Sequence, residues 1–327
     1  MVDAALTTDT LDNPKPASRS GGTEAGFRLL TQAAAGLVLV LFAGLIVSLT
    51  IGAWPAIRTY GFSFLTTQAW NPATEHFGAL APIYGTLISS FLAMLIALPV
   101  GIGIAIFLTE LCPRPLRRPI GMAVELLAGI PSIIYGIWGF FTFAPFLQAH
   151  VQPWLIQTFG DVPVLQDLFG GAPYGIGVLT ASLILSIMIL PFISAVARDV
   201  FETVPPMLKE AAYGIGCTTW EVMWRVVLPF ARTGVVGGAM LALGRALGET
   251  MAVTFVIGND HHIHESLLAP GTTISATIAN EFTEAVGDLY HASLIELGLI
   301  LFFITFVVLA SAQLMLRALE RRAGGRA

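Results

Sequence analysis

EAAYGIGCTTWEVMWRVVLP, residues 210–229, is the one long stretch between apolar blocks that reads as a folded amphipathic unit. Pro205 and Pro206 suit the first turn of a helix, Lys209 to Ala212 continue it, and Gly214 with Gly216 supply the backbone freedom to end it. Thr218 and Glu221 stand three apart as a capping box for a second helix, expected to stop where Pro229 removes a backbone donor. Helix, glycine turn, helix makes a polar knob, and uncharged segments of bilayer length lie on both sides of it.

Hydrophobic residues make up 55% of the 327 and charged residues only 11%. That leaves too little charge to cover a soluble domain, so the chain reads as all-α and polytopic in a membrane. The sequence has no GxxxxGK[ST] pattern to cradle nucleotide phosphates, so the chain is not expected to bind and hydrolyse ATP itself or to be an enzyme, and a separate ATPase is required if it serves a pumped transport. Cys112 and Cys217 match no disulfide framework or metal-ligand spacing and are expected as free thiols. No cofactor and no nucleic-acid partner is called for.

A bilayer needs ~20 apolar residues per helix. On that rule the chain divides into a disordered tail (1–26), six spans (29–53, 82–109, 120–146, 174–197, 233–258 and 292–316), the knob (198–232) and a basic tail (317–327). The first span reads as an uncleaved anchor. Segments 54–81, 147–173 and 259–291 fall on the side opposite the knob. Fourteen of the sixteen basic residues fall on the knob side, with Arg58 opposite and Arg245 within a span. Positive residues mark the cytoplasm, so both termini and the knob are expected inside and the three long loops in the periplasm of an inner membrane.

Charges within the spans carry the functional reading. The fifth span reads TGVVGGAMLALGRALGETMAVTFVIG (233–258), with Arg245 near its middle. An arginine there costs ~2.5 to 3.5 kcal/mol, so it should face a partner or water. Glu249, at i+4, could pair with it along one helix face. Either the two neutralise each other and lock packing, or Arg245 meets an anion in transit while Glu249 orients it. Guanidinium suits the second role because its fork fits oxyanion oxygens. Gly244 and Gly248 offer a flat GxxxG surface for a neighbouring helix. Glu125, in the third span, is close to the interface. The run Asp260, His261, His262, His264, Glu265 fits no standard metal spacing and reads as a solvated loop.

Glu210, Ala211, Ala212, Gly216, Val226, Leu228 and Pro229, at their spacing, resemble the EAA loop of ABC importer permeases, with valine where isoleucine is usual. The resemblance implies that Glu210, Ala211, Ala212, Gly216, Leu228 and Pro229 couple to a cytoplasmic ATPase. Four further blocks are similar to the PstC-type subunit of phosphate-specific ABC importers: WNP with FGALAPIYGTL (70–87), LLAGIPSIIYGIWG (126–139), LGRALGETMAVTFVIGN (243–259) and SLLAPGTTISATIANEF (266–282). That likeness implies a type I, MetI-like core of six helices. It also implies a second, PstA-type permease, two PstB-type ATP-binding subunits, and a periplasmic or lipid-anchored PstS-type phosphate-binding protein. Arg245 and Glu249 fall on the family's Arg-Glu positions. The residues alone leave open another oxyanion such as sulfate or molybdate, a proton-coupled transporter relaying through Glu125 and Glu249, and a scaffold that only recruits a partner.

Overall fold

The computed structural model describes residues 21–163 and 165–324. Among them the main helices are α1 (Gly21–Tyr60), α2 (Leu80–Leu111), α3 (Arg114–Ala128), α4 (Ser132–Phe159), α5 (Val178–Glu202), α6 (Pro206–Gly214), α7 (Thr219–Leu247), α8 (Ile274–Glu281) and α9 (Asp288–Gly324). Six of these, α1, α2, α4, α5, α7 and α9, are long and apolar enough to cross a membrane. Of the expected N-terminal tail, residues 1–20 lie outside the described residues. Residues 21–26 instead open α1, with Glu24 in its first turn, where a carboxylate meets the positive end of the helix dipole. Of the basic tail, 325–327 lie outside the described residues and the backbone to Gly324 continues α9.

Two compact units divide at residues 48 and 49. In the first, α1 is apolar on every side, and Leu37, Val38, Leu39, Val40 and Leu41 are all exposed. That is the surface of a helix whose solvent is hydrocarbon.

In the second unit α5 is the most buried span and packs along α2 and α7. The crossing of α5 and α7 depends on two glycines. A Cβ on Gly234 would stand 2.6 Å from the Val200 methyl groups, and one on Gly238 2.5 Å from Val196 Cγ1. This GxxxG lies ten residues before the expected one. Gly244 is at an ordinary 3.5 Å from Leu309 of α9, and Gly248 lies beyond the last helical turn, near only the Gly244 carbonyl. The pair that allows close approach is therefore Gly234 and Gly238, and Gly244 and Gly248 do not form a flat packing surface.

The expected third span divides in two. Residues 114–128 form the amphipathic α3, with Arg114, Arg118, Gly121 and Glu125 on one face and Leu116, Ile120, Ala123 and Leu127 on the other. Gly129 ends that helix, Pro131 itself is extended at ψ 138°, and α4 starts at Ser132. Counting apolar residues merged two helices because it ignored their angular distribution. Residues 147–159, expected in a periplasmic segment, complete α4.

Pro229 does not end its helix either. At Met223–Val227 the backbone widens to a π turn, in which the Leu228 amide donates to the Met223 carbonyl five residues back. The looser turn accommodates a ring that would otherwise collide with the carbonyl four residues earlier. Knob and fifth span thus share one helix, α7.

Candidate functional site

Arg245 lies in the last turn of α7, a favourable place for a cation beside the helix's unsatisfied carbonyls. Its side chain is exposed. Leu241, one turn back, is 62% exposed, and Gly237, two turns back, has open space where a Cβ would be. The flank of the helix beside this stripe, with Ala242 and Ala246, is in the core. Gly237, Leu241 and Arg245 therefore form a stripe that this chain leaves uncovered.

Of the two readings of Arg245 and Glu249, the one in which they pair along the helix is not what forms. The helix ends at Leu247, so the i+4 geometry no longer applies. Glu249 turns the other way, and its Oε1 accepts a hydrogen bond from the Ala252 amide at 3.2 Å, capping the short turn Met251–Thr254. Among the described residues Arg245 has no carboxylate within ion-pair distance. Glu125 lies on α3 and meets Arg198 Nη1 at 2.7 Å. Each of the two acids is held locally, and they do not make a relay.

The knob is built much as its residues predict. Pro206 occupies the first turn of α6, and Gly216 takes the left-handed conformation at φ +89°, which lets the Gly216 and Cys217 amides return to the Tyr213 and Ala212 carbonyls. Thr218 and Glu221 form the capping box, with the Thr218 amide donating to the glutamate at 2.9 Å. Ala212 is buried with Phe201, Val204, Val222 and Met223 in a small core. Lys209 Nζ meets Glu110 at the end of α2 at 2.6 Å, tying the knob to a second span. Glu210, Ala211, Gly216 and Pro229 are exposed, and Leu228 is half-buried. Beside them Met207 is 78%, Ile215 83% and Trp220 67% exposed. Large apolar side chains exposed among polar residues suit a protein-binding surface.

Beyond the end of α7 the histidine run is less open than expected. His261 stacks on Trp70 with ring planes 3° apart, and its Nε2 meets Glu281 Oε1 at 2.8 Å. Glu281 also accepts from Trp70 Nε1 at 2.7 Å and from the Tyr290 hydroxyl at 2.6 Å. Burial pushes the Glu281 carboxyl up, but the three donors outweigh it and hold the group below the usual carboxylate range. His262 and His264 bracket Asp260 at 2.7 and 2.8 Å. Among the described residues no group of three or more His, Cys, Asp or Glu side chains converges as metal ligands. Trp70, Glu281 and Tyr290 were not singled out from the sequence. The signal was there, since an acid in a largely apolar block must find donors.

Residues 97–325 match the family described as binding-protein-dependent transport system inner membrane component. A phosphate transport system permease protein PstC from Mesorhizobium japonicum is 69% identical over 92% of this chain and 92% of its own length. The protein of the same name from Pasteurella multocida is 60% identical over 91% and 93%. One named as probable from Methanocaldococcus jannaschii is 38% identical over 86% and 90%. Among solved structures, a bacterial alginate ABC transporter in complex with an alginate-bound periplasmic protein aligns with TM-score 0.59 at 19% identity, covering 91% of this chain and 98% of that one. The inward-facing MetNI methionine ABC transporter aligns with TM-score 0.52 at 18% identity, covering 74% and 94%. The two structures speak for the fold alone.

Proposed function

We infer that this chain, which belongs to the family of binding-protein-dependent transport system inner membrane components, is the permease subunit of a phosphate importer driven by ATP hydrolysis on separate subunits. Near full-length identity to phosphate permeases carries the solute. The physical observation that carries the mechanism is Arg245, a permanently charged group in the last turn of a membrane-length helix, exposed and without an ion pair among the described residues. A guanidinium placed so needs a partner from outside.

In this reading the stripe Gly237, Leu241, Arg245 faces a passage completed by a second, PstA-type permease, and Arg245 offers its fork to phosphate oxygens in transit. Glu249 orders the bend after Arg245 by holding the Ala252 amide, and so positions the arginine without neutralising it. Two PstB-type ATPase subunits engage the permease pair, one seated on the exposed knob residues Glu210, Ala211 and Gly216. Because α7 is continuous from Thr219 to Leu247, motion at the knob reaches Arg245 through one rigid element, and alternating access follows as a rigid-body shift of α5 and α7. A PstS-type binding protein delivers phosphate to the face carrying His261 and Glu281. Both termini and the knob lie in the cytoplasm, as the arginine and lysine distribution requires.

Two experiments test this. Arg245→Gln should leave the complex assembled while phosphate uptake in a phosphate-limited strain is abolished, and uptake at the normal rate would make Arg245 structural. Gly216→Asp combines a strained left-handed aspartate with a new charge at the docking surface. It should release the ATPase from membranes, and undiminished co-purification would remove the knob from the coupling role.

A further inference from the structure

A second set of arginines is not used by transport in this reading. Arg114, Arg117 and Arg118, on the first turns of α3, face Arg198 and Glu202 at the end of α5 across a cleft of about 450 Å³. Arg198 is already spent, on Glu125 at 2.7 Å and on Asp199 at 3.3 Å, and it lies so close over Gly121 that a Cβ there would stand 2.9 Å from Nη1. Among the described residues Arg114, Arg117 and Arg118 have no ion pair. The Arg117 Nε is out of reach of solvent and has no hydrogen-bond partner. A desolvated guanidinium nitrogen without an acceptor is costly, and the two carboxylates that line the cleft, Glu125 and Glu202, make no ion pair with these three arginines.

The other face of α3 says which anion. Leu116, Ile120 and Leu127 line an apolar hollow of about 410 Å³, and Leu126 beside them is 73% exposed. A fifteen-residue helix, basic on one face and apolar on the other, between two spans lies in the interface, its apolar face toward the acyl chains. Its arginines then stand at the depth of the lipid phosphates. We propose that the cleft between α3 and the end of α5 binds the phosphate of an anionic phospholipid of the cytoplasmic leaflet, held by Arg114, Arg117 and Arg118. The proposal rests on the cytoplasmic orientation given above. A phosphodiester offers acceptor oxygens to the three guanidinium groups that have no ion pair among the described residues, and basic pockets between spans on this side are suited to such head groups. The lipid bridges α3 to the helix that leads directly into the knob.

Native mass spectrometry of the full chain in mild detergent, with phosphatidylglycerol or phosphatidylethanolamine added, tests the proposal. The wild type should retain phosphatidylglycerol in preference. The triple variant Arg114→Gln, Arg117→Gln, Arg118→Gln should lose that preference on the order of tenfold, with helix content by circular dichroism unchanged. Equal retention by the two proteins overturns the site. Should the triple variant not fold, Glu125→Gln decides, because it removes a carboxylate that lines the cleft and should increase retention; no increase overturns the site. Displacement of the lipid by inorganic phosphate, and not by chloride at equal ionic strength, would overturn the lipid and make free phosphate the occupant. Maleimide labelling of Arg118→Cys in intact cells reports separately on orientation. Protection supports the leaflet assigned, and labelling from outside overturns it together with the topology.

Discussion

Arg198 and Arg245 both sit on long helices of the same core, and their surroundings differ completely. Arg198 is near the end of α5 and has two carboxylates of its own chain within 3.3 Å. Arg245 is in the last turn of α7, is exposed, and has none among the described residues. The first charge is settled by folding this chain, and the second is not. An arginine whose counter-charge is local holds structure together, whereas one left bare on a membrane-length helix points to a partner that arrives later.

The largest expected effect breaks that contrast directly. Hydrogen bonds to a charged group are each worth ~1.5 to 3 kcal/mol, so losing the fork in Arg245→Gln should cut uptake by on the order of a hundredfold or more. Arg198→Gln, assayed beside it, should not come near that loss. Next comes the element that aims Arg245. Gly238→Leu forces a side chain into the 2.5 Å gap to Val196, and the overpacking should destabilise the fold by ~1 to 3 kcal/mol, read as a lowered thermal midpoint in detergent. Transport should fall in this variant with the arginine intact, because its helix no longer crosses α5 at the same distance.

A third test uses a charge satisfied as fully as Arg198. The pKa of Glu281 is depressed in the fold, so its contribution is present at neutral pH and is lost as the pH falls below the ordinary carboxylate range and through the folded value. Wild-type stability should therefore drop on acidification more steeply than that of Glu281→Gln, measured as thermal midpoint against pH. Parallel curves would show that the contacts with His261, Trp70 and Tyr290 do not favour the ionised form.

Much of this was readable in advance because it is local. The capping box at Thr218 and Glu221, the turn at Gly216 and the first turn at Pro206 each depend on residues within four positions, and each forms as the spacing predicts. Six membrane-length helices followed from apolar length alone. What failed depended on three-dimensional context. Pro229 should have stopped a helix, but a π turn before it absorbed the conflict. Glu249 is four residues from Arg245, yet pairing required a helix that ends at Leu247. Glu125 was counted inside a span because its neighbours are apolar, although they occupy only one face. Gly234 and Gly238 were passed over for a second GxxxG, since sequence does not say which glycine pair meets a valine across the crossing.

The smallest expected effect sharpens the comparison from the structural side. If Arg198 is held by a local pair that only fixes α3 to α5, then removing its partner should change little. The side chains of Glu125 and Arg198 are 45% and 24% exposed, and partly solvated pairs are worth ~0.2 to 1 kcal/mol because water screens them and holding both side chains costs entropy. Glu125→Gln should accordingly lower stability by less than ~1 kcal/mol, and Arg198 retains Asp199 as a second acceptor. A double-mutant cycle with Arg198→Gln gives the coupling itself. A coupling of several kcal/mol would mean that this pair is as desolvated as a buried one, and exposure would then no longer separate the arginine that folding settles from the one it leaves for a ligand.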